Sequence, residues 1–210
     1  MNIFNIKSLV AVCALALTFN ASAFEVGGKV GVASDNIFRG VNVSDGFGYS
    51  AKGYLKHDSG LWASGSFRSM DSDNDAYMYS FKGGYGFDVA GVKVNVSYAD
   101  WRVESDLGNS DWEEVGLGLD FDHFAVKYVK GLDDASDYFE INSGFLKVVD
   151  VAYGDWDDAG SFWKVSKGFE IPKIGGEVEV GYIDHEFNDD DFSDRITDVD
   201  NFYIGYSYKF

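Results

Sequence analysis

The chain has 210 residues, a formal net charge of −18, 17% aromatic residues, 25 glycines, one proline and one cysteine. This acidity argues against nucleic-acid binding, which needs a basic face, and a single cysteine leaves no disulfide framework. Beyond the first 23 residues no apolar run approaches the ~20 residues of a spanning helix, so a bilayer crossing must be made by a closed β-barrel whose backbone groups satisfy one another.

The chain opens on a targeting pattern. Lys7 supplies a positive start, Leu9 to Phe19 is apolar, and Ala21-Ser22-Ala23 is a small-residue cleavage site. These features predict a signal peptide over residues 1–23 and a mature start at Phe24. Cys13 lies inside the apolar run behind Val12, not behind a small residue, which argues against a lipid anchor. The leader holds one of the 17 Lys+Arg and none of the 35 Asp+Glu, so the mature charge is 16 − 35 = −19. Residues 24–210 read as a single domain.

Twelve alternating segments follow, at 25–33, 47–57, 61–70, 76–87, 92–102, 112–121, 123–131, 137–143, 146–154, 161–170, 177–187 and 199–210. Most have the ~9–11 residues of a tilted membrane-crossing strand. Their connections alternate in kind. Asp58-Ser59-Gly60, 88–91, Asp122-His123, Ser143-Gly144 and 171–176 are short. The stretches 34–46, 71–75, 104–111, 132–136, 155–160 and 188–198 are more acidic and mostly longer. A barrel with both termini in the periplasm has short turns on that side and longer loops outside. An even strand count with this sorting predicts an all-β, antiparallel up-and-down transmembrane barrel of twelve strands in a Gram-negative outer membrane.

The strand faces agree with this. Val92, Val94, Val96 and Tyr98 alternate with Lys93, Asn95, Ser97 and Ala99, and Val115, Leu117, Leu119 and Phe121 alternate with Glu114, Gly116, Gly118 and Asp120. Side chains on a strand point alternately to its two faces, so one set meets lipid and the other the lumen. Phe87, Phe121, Phe124, Phe169 and Phe210 then form an aromatic girdle near the periplasmic ends. Trp101, Trp112 and Trp156 point inward near the opposite rim, while Lys167 and Asp184 fall on nominally lipid-facing positions. The last strand places Phe202, Ile204, Tyr206, Tyr208 and Phe210 on one face. Its Tyr206, Tyr208 and Phe210 resemble the terminal signature that the outer-membrane barrel-assembly machinery reads.

The most distinctive stretch is Ser34 to Gly46, where the apolar Ile37, Phe38 and Val41 are unlike a simple loop. If the first strand continues into it, Asp35 and Arg39 share the lumenal face. There they pair or form part of a constriction, where charge sets selectivity. The alternative is that Arg39 ties a folded-in loop to the wall. The run Ser34-Asp35, Phe38-Arg39-Gly40 and Ser44-Asp45-Gly46, continuing through Gly53-Tyr54, Ser59 to Ala63 and Gly65-Ser66, is similar to the N-terminal signature of the proteobacterial TorF-type (Gcw_chp) porins. That resemblance implies an outer-membrane barrel of porin type with no defined substrate.

The inward face carries Lys29, Lys52, Lys56, Arg68, Lys82, Lys93 and Lys127 against Glu114, Asp120, Asp150, Glu177 and Glu179. Twelve strands lie between small filled barrels and the wide porins. The expectation is a narrow passive channel for ions or small solutes, with Asp35, Arg39, Lys52, Arg68, Lys82, Lys93, Glu114 and Asp120 as pore candidates. The alternative is a closed barrel whose acidic loops serve adhesion or envelope stabilisation. A third reading is a lipid hydrolase, since His57-Asp58-Ser59 has an H-x-S spacing. The topology places that triplet in a periplasmic turn, and Asp-Ser-Gly is ordinary turn chemistry, so no enzyme is expected. His57, His123 and His185 have no ligand spacing for zinc. Asp71, Asp73 and Asp75 match the start of a calcium loop but lack its glycine and distal glutamate. They, Asp157-Asp158 and Asn188 to Asp191 form either a rim bridged by divalent cations to lipopolysaccharide or a solvated acidic rim. No cofactor is expected, and the expected partners are membrane lipid, lipopolysaccharide and the assembly machinery.

Overall fold

The computed structural model describes residues 23–44, 46–70, 76–106, 108–144, 148–157, 160–172, 175–187 and 200–210. All of the expected leader but Ala23 therefore lies outside the described residues, as do Asp71, Asp73, Asp75, Asp158 and Asn188 to Asp191. Strand β1 (Phe24–Ala33) is followed by two two-residue strands, β2 (Ile37–Phe38) and β3 (Val41–Asn42). Then come β4 (Gly48–His57), β5 (Leu61–Ser69), β6 (Tyr77–Val89), β7 (Val92–Glu104), β8 (Ser110–Phe121) and β9 (Phe124–Gly131). The chain continues through β10 (Tyr138–Ser143), β11 (Asp150–Trp156), β12 (Gly160–Glu170), β13 (Glu177–Phe187) and β14 (Asp200–Lys209).

All strands except β2 and β3 form one closed antiparallel barrel of neighbours in sequence, shut by β1 against β14. The strand count and the up-and-down order are those expected, and so is the sorting of connections except beside β11, where the turn-end link 144–149 is longer than the loop-end link 157–159. Both described ends of the barrel strands, Phe24 and Lys209, lie at the end that carries the short turns, so that end is periplasmic by the topology of such barrels. Large apolar side chains project all round the outside, among them Val30, Phe81, Val96, Leu117, Val165, Val180 and Ile204, and all are exposed. An apolar surface this extensive needs lipid to cover it. The girdle is in place, with Phe87, Phe124, Phe169 and Phe210 exposed near the turn end and Phe121 stacked on Phe124 at 4.6 Å between centroids. Lys167 and Asp184 do face outward, each on the lipid-side parity of its strand.

One expectation is corrected and one open alternative is decided. The strand expected at 146–154 is β11, Asp150–Trp156, because Val148-Val149 carries no period-2 phase and the register is set by cross-strand pairing, Tyr138 opposite Trp156 and Trp156 opposite Gly160. Of the two readings of Ser34 to Gly46, the folded-in loop tied to the wall by Arg39 is the one observed, and β1 does not continue through Asp35 to Arg39. It stops at Ala33, and the chain turns inward as the β2–β3 hairpin, because Phe38 and Val41 bury more apolar surface inside the barrel than they would along the rim. Two clusters sit in the loop-end half of the lumen. Val129, Tyr138, Phe162 and Ile183 pack with Ile37, and Phe38, Met78, Ala99 and Trp101 pack with Val43. Ile183 is 0% exposed although it lines the inside of a barrel. Each of the fully buried apolar side chains contributes on the order of 1.5–3 kcal/mol.

Candidate functional site

The site is the lumen, and its organising element is the folded-in segment from Ser34 to Ser44. At its tip, Phe38 faces Val41 across a two-residue turn of Arg39 (φ 49) and Gly40 (φ 88). Positive φ at both central residues is the type I′ geometry that matches the twist of a tight hairpin. Glycine is required at the second position. A Cβ on Gly40 would run into the Phe162 ring.

Polar side chains at the hairpin base tie it to the wall. Asn36 Nδ2 donates to the Ser69 carbonyl at 2.7 Å, and the Asn36 N–H donates to Ser44 Oγ at 2.7 Å. Asp35 accepts from Asn42 Nδ2 at 2.9 Å and from Asn201 Nδ2 at 3.0 Å. Arg68 Nη1 donates to the Ile37 carbonyl at 2.6 Å. So Asp35 and Arg39 do not pair, contrary to one expectation. Asp35 organises the base, and Arg39 reaches across the lumen to β8.

Arg39 Nη2 lies 2.6 Å from Glu114 Oε2, and the two side chains are 5% and 4% exposed. Burial of both charges is costly unless every remaining polar atom is served. Glu114 is served: Trp101 Nε1 donates to one oxygen at 2.8 Å and Trp112 Nε1 to the other at 2.9 Å. The Arg39 guanidinium carbon sits 4.6 Å from the Tyr138 ring centroid, 5.5 Å from Trp156 and 5.7 Å from Trp101, an arrangement in which ring faces offset lost hydration. The three tryptophans with inward parity are thus the box that holds the hairpin tip. Sequence reading placed them inward but did not connect them to Arg39, because they come from three strands.

Below the hairpin, toward the turn end, the lumen is polar. Lys82 Nζ lies 3.9 Å from the Trp101 ring centroid and Lys127 Nζ 5.4 Å from that of Tyr138, so both amines approach the hairpin tip from beneath. Tyr138 Oη donates to Glu140. Lys164 Nζ is 3.1 Å from Glu179 Oε1, which also accepts from Tyr203. Lys29 and Lys52 are exposed on the inner face, as are Lys93 and Asp120. These last two sit opposite one another at the turn end of β7 and β8, away from the hairpin. Of the pore candidates, Arg39, Arg68, Lys82 and Glu114 are gathered at the hairpin, Asp35 at its base, and Lys52 beneath it. Lys164, Tyr203 and Glu140 are lumenal groups that went unselected.

At the loop end, Asp137 accepts from Tyr128 Oη at 2.6 Å and Lys130 Nζ at 3.0 Å, which holds its carboxyl below the usual aspartate range. At the turn end, His57 Nδ1 is 2.8 Å from Ser59 Oγ and also accepts the Ser59 N–H at 3.0 Å. The histidine caps an exposed turn there, and a nitrogen so engaged is spent on turn closure.

Among solved structures, the chain is similar to the KdgM porin, with a TM-score of 0.53 at 13% identity over 88% of this chain and 99% of that one. A KdgM porin in complex with disordered oligogalacturonate gives 0.51 at 12% identity over 88% and 98%. No family model and no curated protein sequence matches the chain. At this identity the likeness establishes a shared fold. That fold is the porin-like outer-membrane β-barrel, and it agrees with the apolar belt and the strand topology.

Proposed function

We propose that the protein is a narrow passive channel for ions or small solutes, with the Ser34–Ser44 segment as its constriction. One observation carries this reading. Beneath the hairpin the inner face of a closed barrel keeps Lys29, Lys52, Lys56, Lys93 and Asp120 exposed. Long charged side chains stay exposed inside a barrel only where water reaches them, since burying them unpaired is costly. The likeness of the Ser34 to Ser66 stretch to TorF-type porins supports the same reading, because Ser34, Asp35, Phe38, Arg39, Gly40 and Ser44 are the residues that seat the hairpin. In this reading the terminal Tyr206, Tyr208 and Phe210 serve insertion by the assembly machinery, and the acidic loops face lipopolysaccharide.

The closed-barrel reading is favoured by a different observation: hairpin residues contact the wall from β5 to β13. Planar-bilayer recording separates the two. The refolded protein is expected to give small unitary currents, and a variant with residues 37–42 replaced by a short Gly-Ser link larger ones. Absence of unitary steps from both proteins, at every voltage and salt concentration, would leave the closed barrel standing.

A further inference from the structure

The lysines of the lumen fall into two sets. At the turn-end mouth each has a carboxylate beside it. Lys56 is directly opposite Glu25, Lys93 is opposite Asp120, and Lys209 Nζ lies 4.0 Å from Glu177. Nearer the hairpin this matching stops. Lys52 is opposite Lys29 on one side and Ser66 on the other, and Lys29 is in turn opposite Lys209. Lys82 is opposite Ser64 and Ala99. Only Lys127 faces a carboxylate, Glu140, which also accepts from Tyr138 and Asn142.

Like charges placed directly opposite across a strand pair destabilise a sheet. Here three lysines stand in one row across β4, β1 and β14. Lys82 and Lys127 then meet Arg39 through shared rings, Lys82 and Arg39 at Trp101, Arg39 and Lys127 at Tyr138. Lys52 lies within electrostatic reach of both Lys82 and Lys127. Among the described residues no carboxylate comes within ion-pair distance of Lys29, Lys52, Lys82 or Lys127. Around the hairpin the charges are Arg39, Arg68, Lys29, Lys52, Lys82 and Lys127 against Asp35, Glu114 and Glu140, 6 − 3 = +3, with Lys164 and Glu179 cancelling as a pair. The chain as a whole is at −18. A positive belt beneath the hairpin of an otherwise acidic protein is a fixed-charge filter, because a ring of one sign in a narrow bore sets which ions enter it.

We infer that Lys29, Lys52, Lys82 and Lys127 form an anion filter under the hairpin, so that the channel passes small anionic solutes in preference to cations. The inference rests on the channel reading and adds to it the class of solute. An anion in the belt supplies the negative charge that the lysines lack from the wall.

The test is the reversal potential across a planar bilayer with a potassium chloride gradient. The expected result is a shift toward the chloride equilibrium potential. That shift is expected to be lost in the Lys52→Gln/Lys82→Gln/Lys127→Gln variant, reversed in sign or much reduced by Lys52→Glu alone, and kept by Lys130→Gln on the outer face. A wild-type reversal at or toward the potassium potential overturns the filter and leaves the channel reading intact. If the wild type is silent, selectivity is read from the Gly-Ser-linked variant carrying Glu114→Gln, so that the carboxylate freed from Arg39 does not offset the lysines. Chloride preference there supports the filter, and potassium preference overturns it. Silence of both proteins removes the channel and the filter together.

Discussion

Arg39 does the work of several residues. It occupies a left-handed turn position at φ 49, a region costing a non-glycine residue about 1–2 kcal/mol, yet its side chain is almost wholly buried. The compensation is Glu114, held in turn by two indole N–H groups. Removing one partner of a buried pair typically costs about 3–5 kcal/mol because the other charge is stranded. Arg39→Met is therefore expected to loosen the hairpin far more than Arg39→Met combined with Glu114→Gln. The single cysteine is Cys13 in the predicted leader, so in protein expressed from Phe24 a Val41→Cys probe reports hairpin opening alone. Thiol labelling at position 41 should quicken about a hundredfold or more with Arg39→Met, and recover part of the way in the double variant. Equal labelling rates with and without Arg39 would show that the pair does not hold the hairpin.

At the level of elements, the hairpin is small: two residue pairs, Ile37 with Asn42 and Phe38 with Val41. An isolated hairpin of this size is not stable in water. It persists because the barrel supplies its core, with Phe38 packed edge-on at 5.0 Å from Trp101 and Gly40 seated on Phe162. Gly40→Ala puts a methyl group into that ring and strains a positive φ. The expected outcome is an undocked hairpin in an intact barrel, read as a red shift of tryptophan fluorescence as Trp101, Trp112 and Trp156 become wet, with an unchanged β-sheet circular dichroism spectrum. Apolar Ile37, Phe38 and Val41 signalled in the sequence that this was not a simple loop. The direction of the fold was not legible, because a period-2 reading extends a strand as readily as it ends one, and what decides is how much the lumen offers to bury.

For the whole molecule a sensitive place is the seam, which shares the shortest strand pairing of the barrel with β9–β10. Strands β6 and β7 pair through thirteen residues on each side, whereas β1 meets β14 through the five pairs from Lys29–Lys209 to Ala33–Gly205. The seam is extended by Gly28 and Phe210, which exchange backbone hydrogen bonds at 2.8 and 3.0 Å. The Phe210 ring lies over Gly28, where a Cβ would come within 2.6 Å of it. Gly28→Leu is expected to destabilise closure by about 1–3 kcal/mol, the usual cost of overpacking. In semi-native electrophoresis the compact, heat-resistant band should vanish at a lower temperature than for the wild type, and adding Phe210→Ala should restore part of the difference. A band as heat-resistant as the wild type would show that the ring is free to move aside.

The barrel was legible from the chain because each strand's two faces meet different solvents. Lipid and lumen impose a period of two that survives without knowledge of the neighbours, and the side on which connections are short follows from where Phe24 and Phe210 stand. Strand number, topology, the phenylalanine girdle and the inward parity of Trp101, Trp112 and Trp156 were determined there. The interior was decided by the tertiary structure. Whether Arg39 meets Asp35 or Glu114, whether Lys52 faces a carboxylate or another lysine, and whether Ser34 to Ser44 runs along the rim or into the bore all depend on register between strands far apart in sequence. Alternation is a property of one strand, whereas cross-strand register belongs to the closed sheet.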